Sequence, residues 1–231
     1  MNTTKTALVT GANRGIGLEV CRQLAEKGFK VFLTARNVQA GEKAVDKLKS
    51  NGNDVHFIEL DVSKEESIKN AAQKFSDFNV ELNVLVNNAA ILIENVSIFT
   101  INTELFIKSL TTNSIGPVNV INSFLRYMNK GSRIINVSSG SGSISNMSSY
   151  APPYSVSKAA LNAVTKQFAA VLAGKKIAVN SVDPGWVRTD MGGPGAPRSL
   201  SKGAETIVWL ATEAPTDLTG KFLKDKREVE W

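Results

Sequence analysis

Short runs of consecutive apolar residues alternate along this chain with longer stretches in which apolar positions recur every three to four residues. The runs at 7–10, 31–34, 55–60, 84–87, 133–137 and 178–182 have the length of strands, and 222–223 adds a shorter seventh. Val84-Leu85-Val86 shows no polar alternation, as expected of a strand covered on both faces. Helical spacing fills the intervals at 15–27, 41–50, 65–75, 104–128, 154–172 and 202–212. This order predicts an α/β fold, a doubly wound (Rossmann) sheet of seven parallel strands with helices on both faces. No linker, internal repeat or charge block divides residues 1–231, so a single domain is expected. The Ser/Gly-rich stretch 138–149 lies between a strand and a helix and reads as an active-site loop. A second loop, 191–199, contains Gly192, Gly193, Pro194, Gly195 and Pro197.

Composition excludes several function classes. With 42% hydrophobic and 21% charged residues the chain is ordinary globular protein. A net charge of +6 suits an anionic partner, but Lys and Arg are dispersed rather than clustered, which argues against nucleic acid. No apolar stretch is long enough to span a membrane, and Met1 to Lys5 do not lead into one, so no membrane or secretory role and a cytoplasmic location are expected. Cys21 is the sole cysteine, which fits a reducing compartment and a buried structural thiol beside Val20 and Leu24. His56, the sole histidine, sits in an apolar strand. Neither a Ser-His-Asp triad nor a multi-histidine metal site is expected, and no metal is assigned.

Chemistry concentrates in four places. The first strand runs into Thr10-Gly11-Ala12-Asn13-Arg14-Gly15-Ile16-Gly17, where glycines allow a sharp turn and a close backbone approach to a pyrophosphate at the start of a helix. The second strand ends at Arg36 with no Asp or Glu at its tip. A carboxylate there would favour a free ribose hydroxyl; Arg36, with Arg14, suits a 2′-phosphate, unless Arg36 is merely solvated. Tyr154 and Lys158, four residues apart behind Pro152-Pro153, share one face of a helix, where an ammonium is expected to lower the phenol's pKa. The pattern alone also fits a surface pair. Ser138-Ser139 follows the fifth strand and offers hydroxyl donors.

Together and in this order, these motifs and Asn87-Asn88-Ala89-Ala90 resemble the short-chain dehydrogenase/reductase family over essentially the whole chain. The resemblance implies hydride transfer between a nicotinamide cofactor, here NADPH/NADP, and a carbonyl or alcohol. It implies that Ser139 polarises the carbonyl, with Ser138 as the fallback, and that Tyr154 is the general acid. Lys158 would tune Tyr154 and bond the nicotinamide ribose, while Asn113 supports a proton-relaying water unless it is a plain helix polar residue. Cofactor contacts carried over are Gly11, Asn13, Arg14, Gly15, Ile16, Gly17, Arg36, Asp61, Val62, Asn88, Ala89, Tyr154 and Lys158. Pro184, Gly185, Val187 and Thr189 are added to them in the segment after the sixth strand. Two departures stand out. Ala90 replaces a usual glycine, and the interval from Ser139 to Tyr154 is two residues longer than the commonest one, which predicts a bulge before Pro153.

Further details, from Leu33-Thr34-Ala35-Arg36 to Pro184-Gly185-Trp186-Val187 and the end at Trp231, resemble the NADPH-dependent carbonyl reductases, which reduce ketones, aldehydes and quinones. The family alternatives are a reductase with a dedicated substrate (a 3-oxoacyl thioester, steroid or pterin) or a non-catalytic NADPH sensor. The substrate site is expected at the C-terminal edge of the sheet, in loops 91–96, 140–153 and 190–200. Small and apolar residues there (Ile91, Leu92, Ile93, Met147, Ala151) favour an uncharged substrate. Trp186 is either core packing or a pocket wall. The chain is expected to be a monomer, or a homodimer or tetramer through the helices carrying Tyr154 and Asn113.

Overall fold

The computed structural model describes residues 4–94 and 96–231; Met1–Thr3 of the N-terminal reading and Asn95 of the 91–96 loop lie outside the described residues. Strands β1 (Thr6–Val9), β2 (Lys30–Ala35), β3 (Val55–Glu59), β4 (Val84–Asn87), β5 (Arg133–Val137), β6 (Ala178–Val182), β7 (Phe222–Lys224) and β8 (Arg227–Glu228) form one sheet. Its order is β3-β2-β1-β4-β5-β6-β7-β8. The first seven strands are parallel, as the apolar runs predicted, and β8 returns antiparallel along β7. This eighth strand is two exposed charged residues after a tight turn, so it carries no apolar signal.

Each strand feeds both faces because successive side chains alternate. Ala7 and Val9 join one core with α1 (Gly15–Glu26), α2 (Val38–Lys49) and α7 (Leu200–Thr212), whereas Leu8 points into the other. That second core is built with α3 (Glu65–Ser76), α5 (Gly116–Phe124) and α6 (Pro152–Leu172), around Phe32, Phe75 and Phe124. His56 stacks on Phe32, 5.6 Å between ring centroids, and Cys21 is fully buried; both are structural, as expected.

The helix expected over 104–128 is broken into α4 (Thr103–Leu110), a π-helical turn (Thr111–Ile115) and α5. Pro117 is the cause: it has no N–H for the carbonyl of Asn113 four residues earlier, and its ring crowds that carbonyl. The π turn absorbs the mismatch. It also presses Gly116 against the loop after β3, where an added Cβ would lie 2.6 Å from the Val62 carbonyl oxygen.

A polar row crosses the sheet beneath the catalytic edge. Asn87, Asn136 and Ser181 occupy paired positions on β4, β5 and β6. Asn87 donates to Asn136 (2.9 Å), Asn136 donates to the Thr165 hydroxyl on α6 (2.8 Å), and Thr165 bonds Ser181 (2.7 Å) and the Leu161 carbonyl (2.9 Å). One hydroxyl thus uses its donor and both acceptor positions. Thr165→Val keeps the shape but strands two buried donors, so the free energy of unfolding should fall by about 2 kcal/mol and Tm by roughly 4–8 °C. An unchanged denaturation midpoint would show that the row contributes nothing to stability.

Candidate active site

The strand order reverses between β1 and β4, which opens a crevice at their C-terminal ends. The Thr10 hydroxyl accepts from the backbone N–H groups of Asn88 and Ala89, both at 3.0 Å. The Asn88 amide donates in return to the Thr10 and Gly11 carbonyls at 2.9 and 3.1 Å. This lacing brings the backbones so close that a Cβ on Gly11 would sit 2.8 Å from Ala89 Cα, while one on Gly17 would sit 2.5 Å from the lacing Asn88 amide nitrogen. Gly11 and Gly15 also need positive φ, +61° and +60°. Arg14, the residue capping α1, makes no side-chain cap, so no side chain of its own covers the first-turn N–H groups. Such a cradle fits a nucleotide pyrophosphate.

The remaining cofactor candidates gather around it. Arg36 is exposed beyond the end of β2. Burial raises the Asp61 carboxyl's pKa, but hydrogen bonds from Ser63 and the charges of Lys64 and Arg36 together hold it below its ordinary value. Arg14 pairs with Asp190 at 2.5 Å, both side chains exposed, so it ties the glycine loop to the 190–200 loop. Thr189 lies against Gly15, and Val187 packs on Gly203. The Pro184–Gly185 turn, with Gly185 at φ +75°, is closed by Asp183, whose carboxylate accepts from the Gly185 N–H at 2.8 Å. Ala90 is not among the positive-φ residues, so its methyl group costs no backbone strain.

Pro152 and Pro153 open α6 and place Tyr154 and Lys158 in its first two turns, both buried. The Ser139 hydroxyl lies beside the Tyr154 phenol and acts to lower its pKa. Ser138 turns away to the Lys158 carbonyl at 3.3 Å, so Ser139 is the serine that faces the tyrosine. Lys158 Nζ donates to the Val137 carbonyl at 2.7 Å and lies 5.7 Å from the Tyr154 ring centroid. Asn113, in the π turn, uses its amide on Ile91 and Ser157. It accepts from Ile91 N–H (2.8 Å) and donates to the Ile91 carbonyl and the Ser157 hydroxyl, both at 2.9 Å. Ser157 in turn bonds the Tyr154 carbonyl at 2.7 Å. The asparagine side chain therefore reaches the pair through α6 and does not touch Lys158.

Two further contacts were not legible in sequence. Tyr150 donates its hydroxyl to Glu94, joining the 140–153 loop to the 91–96 loop across the mouth of the site. Trp186 is 59% exposed with its indole N–H on the Gly192 carbonyl at 2.7 Å, so it is a wall of the 190–200 loop and not core packing. Both depend on loop packing between residues distant in sequence, which local patterns do not encode.

The expected lowering of the Tyr154 pKa by Lys158 is overturned. Burial pushes Tyr154 up to about 12 although Ser139 acts to lower it, with Asp183 adding to the rise. Burial also pulls Lys158 down to about 7, so at neutral pH it carries only part of the charge that was to stabilise a phenolate. Between about 7 and the ordinary lysine value of 10.5 the unfolded chain holds a proton that folded Lys158 has lost, so this group's contribution to stability rises with pH. The Tm of the cofactor-free protein, relative to Lys158→Met, should climb by about 3 °C per pH unit across that window. A flat difference would mean that Lys158 stays charged when folded.

Comparison with known proteins gives the same picture from sequence and from shape. A short chain dehydrogenase family model matches residues 5–198. Carbonyl reductase (NADPH) 1 of Sus scrofa is 35% identical, covering 99% of this chain and 94% of the relative, and that of Homo sapiens is 32% identical, covering 97% and 98%. An NADPH-bound carbonyl reductase from chicken fatty liver superimposes with a TM-score of 0.90 at 29% identity, covering 99% of this chain and 94% of its own. The Drosophila melanogaster carbonyl reductase Sniffer does so with a TM-score of 0.90 at 28% identity, covering 99% and 100%. With the laced glycine cradle, Ser139 beside Tyr154 and the buried Lys158 in one crevice, this chain belongs to the short-chain dehydrogenase family.

Proposed function

We propose that the protein is an NADPH-dependent carbonyl reductase that converts a ketone, aldehyde or quinone carbonyl to an alcohol. The observation that carries this reading is the Tyr154 phenol, buried, beside Ser139 and next to Lys158 at the same sheet edge as the glycine cradle. NADPH, when bound, supplies the hydride. The Ser139 hydroxyl donates to the substrate carbonyl oxygen and stabilises the negative charge that gathers there. Tyr154 delivers its proton to that oxygen. A phenol pushed up to about 12 keeps this proton at neutral pH, as an acid must. Lys158, at about 7, exchanges protons near physiological pH and restores the phenol afterwards. In the oxidative direction Tyr154 acts as the base once the neutral Lys158 amine has taken its proton. Asn113 positions Ile91 and, through Ser157, the first turn of α6.

Cofactor choice rests on Arg36, whose guanidinium is free to fork onto a 2′-phosphate where NAD-binding relatives of the fold carry an acid. The names of the similar carbonyl reductases support both cofactor and reaction class. The carbonyl compound reaches Tyr154 between the 91–96, 140–153 and 190–200 loops, where Ile144, Met147, Trp186 and Met191 are exposed and favour an uncharged, apolar molecule. A second copy of the chain would cover Ile107 on α4 and Val171 on α6, both exposed.

Nicotinamide absorbance with NADPH and with NADH, over a panel of aldehydes, ketones, diketones and quinones, tests the reading. Turnover should need NADPH and fall by roughly a hundredfold or more in Tyr154→Phe. Arg36→Asp should shift kcat/KM toward NADH by about tenfold or more. Retained activity in the first variant or an unchanged cofactor ratio in the second would overturn the corresponding role.

A further inference from the structure

The long interval between Ser139 and Tyr154 poses a mechanical problem. Ser139 follows β5 and Tyr154 lies in the first turn of α6, and a loop of this length costs entropy to hold the hydroxyl in one position unless something outside the loop fixes it. The structure holds it with the residues that follow β8. The Ser145 N–H and hydroxyl both donate to the Trp231 carbonyl, at 3.1 and 3.2 Å, and the Ser143 hydroxyl donates to the Glu230 carbonyl at 3.2 Å. Ser143 is buried and directly follows the 3₁₀ turn Gly140–Gly142 that Ser139 caps. The turn's far end is fixed as well, since Asn162 of α6 donates to the Gly142 carbonyl at 3.0 Å.

The holding segment is itself anchored. The Trp231 ring stacks on buried Phe222 of β7, 5.6 Å between centroids, and the Lys166 ammonium of α6 sits 5.0 Å above it. The Val229 N–H donates to the Phe222 carbonyl at 2.9 Å. At the tip of the β7–β8 hairpin, Asp225 takes both guanidinium nitrogens of Arg198 at 2.7 Å, and Arg198 backs the Pro184–Gly185 turn. The loop ends at buried Ala151. Its φ of +41° is a left-handed conformation that an alanine keeps only when its surroundings impose it.

The geometry points to a positioning role for Trp231: through the Glu230 and Trp231 carbonyls it straps the 143–145 segment and so sets where the Ser139 hydroxyl stands relative to Tyr154. This rests on the carbonyl-reductase reading, in which that hydroxyl polarises the substrate. A misplacement of about 1 Å at such a group costs up to a hundredfold in rate.

The test compares wild type, Trp231→Ala and Trp231→Phe, each confirmed folded, by amide hydrogen exchange and by steady-state kinetics. In Trp231→Ala the Ser145 amide should exchange at least tenfold faster, with the amides of β6 unchanged. The same variant should lose about tenfold in kcat at unaltered NADPH Kd, and Trp231→Phe, which keeps the stacked ring, should recover both. Unaltered exchange at Ser145 overturns the strap, and faster exchange with kcat and KM within twofold of wild type overturns its role in positioning. If wild type reduces no carbonyl in the panel, the reductase reading fails separately, and exchange at Ser145 still decides whether the tail holds the loop.

Discussion

The Thr10 hydroxyl and the Asn88 amide hold together the two strand ends between which everything else is arranged. β1 and β4 are neighbours in the sheet but carry the chain in opposite lateral directions, so their ends diverge and leave a crevice. Thr10 and Asn88 set its width with four hydrogen bonds between 2.9 and 3.1 Å. That width is what forces glycine at 11, because a side chain there would collide with the opposing Ala89 backbone; at 17 a side chain would meet the Asn88 amide that laces the strands and the loop's own backbone. The glycine loop is thus a consequence of how closely the two strands are tied.

On the other side of the crevice the governing effect is desolvation. Tyr154 and Lys158 share a buried environment, and each is driven toward its neutral form, the phenol upward and the amine downward. A pair-attraction argument from a four-residue spacing gives the opposite sign for the tyrosine, because spacing reports that two groups are near each other and not how much water is left around them. Ser139 opposes the rise of the tyrosine but does not cancel it. The result is an acid that keeps its proton beside an amine that readily exchanges one.

The sheet was legible because its strands are buried on both faces and so read as unbroken apolar runs; their ends moved by a residue or two. The glycine cradle, the Tyr154–Lys158 pair and Ser139 were legible because each is a local pattern at the end of a strand or the start of a helix. The break at Asn113 was missed although its cause, Pro117, stands in the sequence; apolar spacing continues through the π turn and masks it. The contacts of Glu94 with Tyr150 and of Ser145 with Trp231 join segments 56 and 86 residues apart through exposed loops, and no local pattern announces them. Trp186 shows the same limit, since its environment is decided by the path of the 190–200 loop.

The short return strand β8 has a consequence for the molecule's behaviour in a crowded solution. A parallel sheet that ended at β7 would present a row of unpaired backbone donors and acceptors flanked by Phe222 and Leu223, a template on which strands of other molecules can add. β8 occupies that row with Arg227 and Glu228, exposed and oppositely charged, and the hairpin then leaves the sheet edge toward Trp231. What remains outermost is two residues long and charged, too brief and too polar to seed edge-to-edge aggregation.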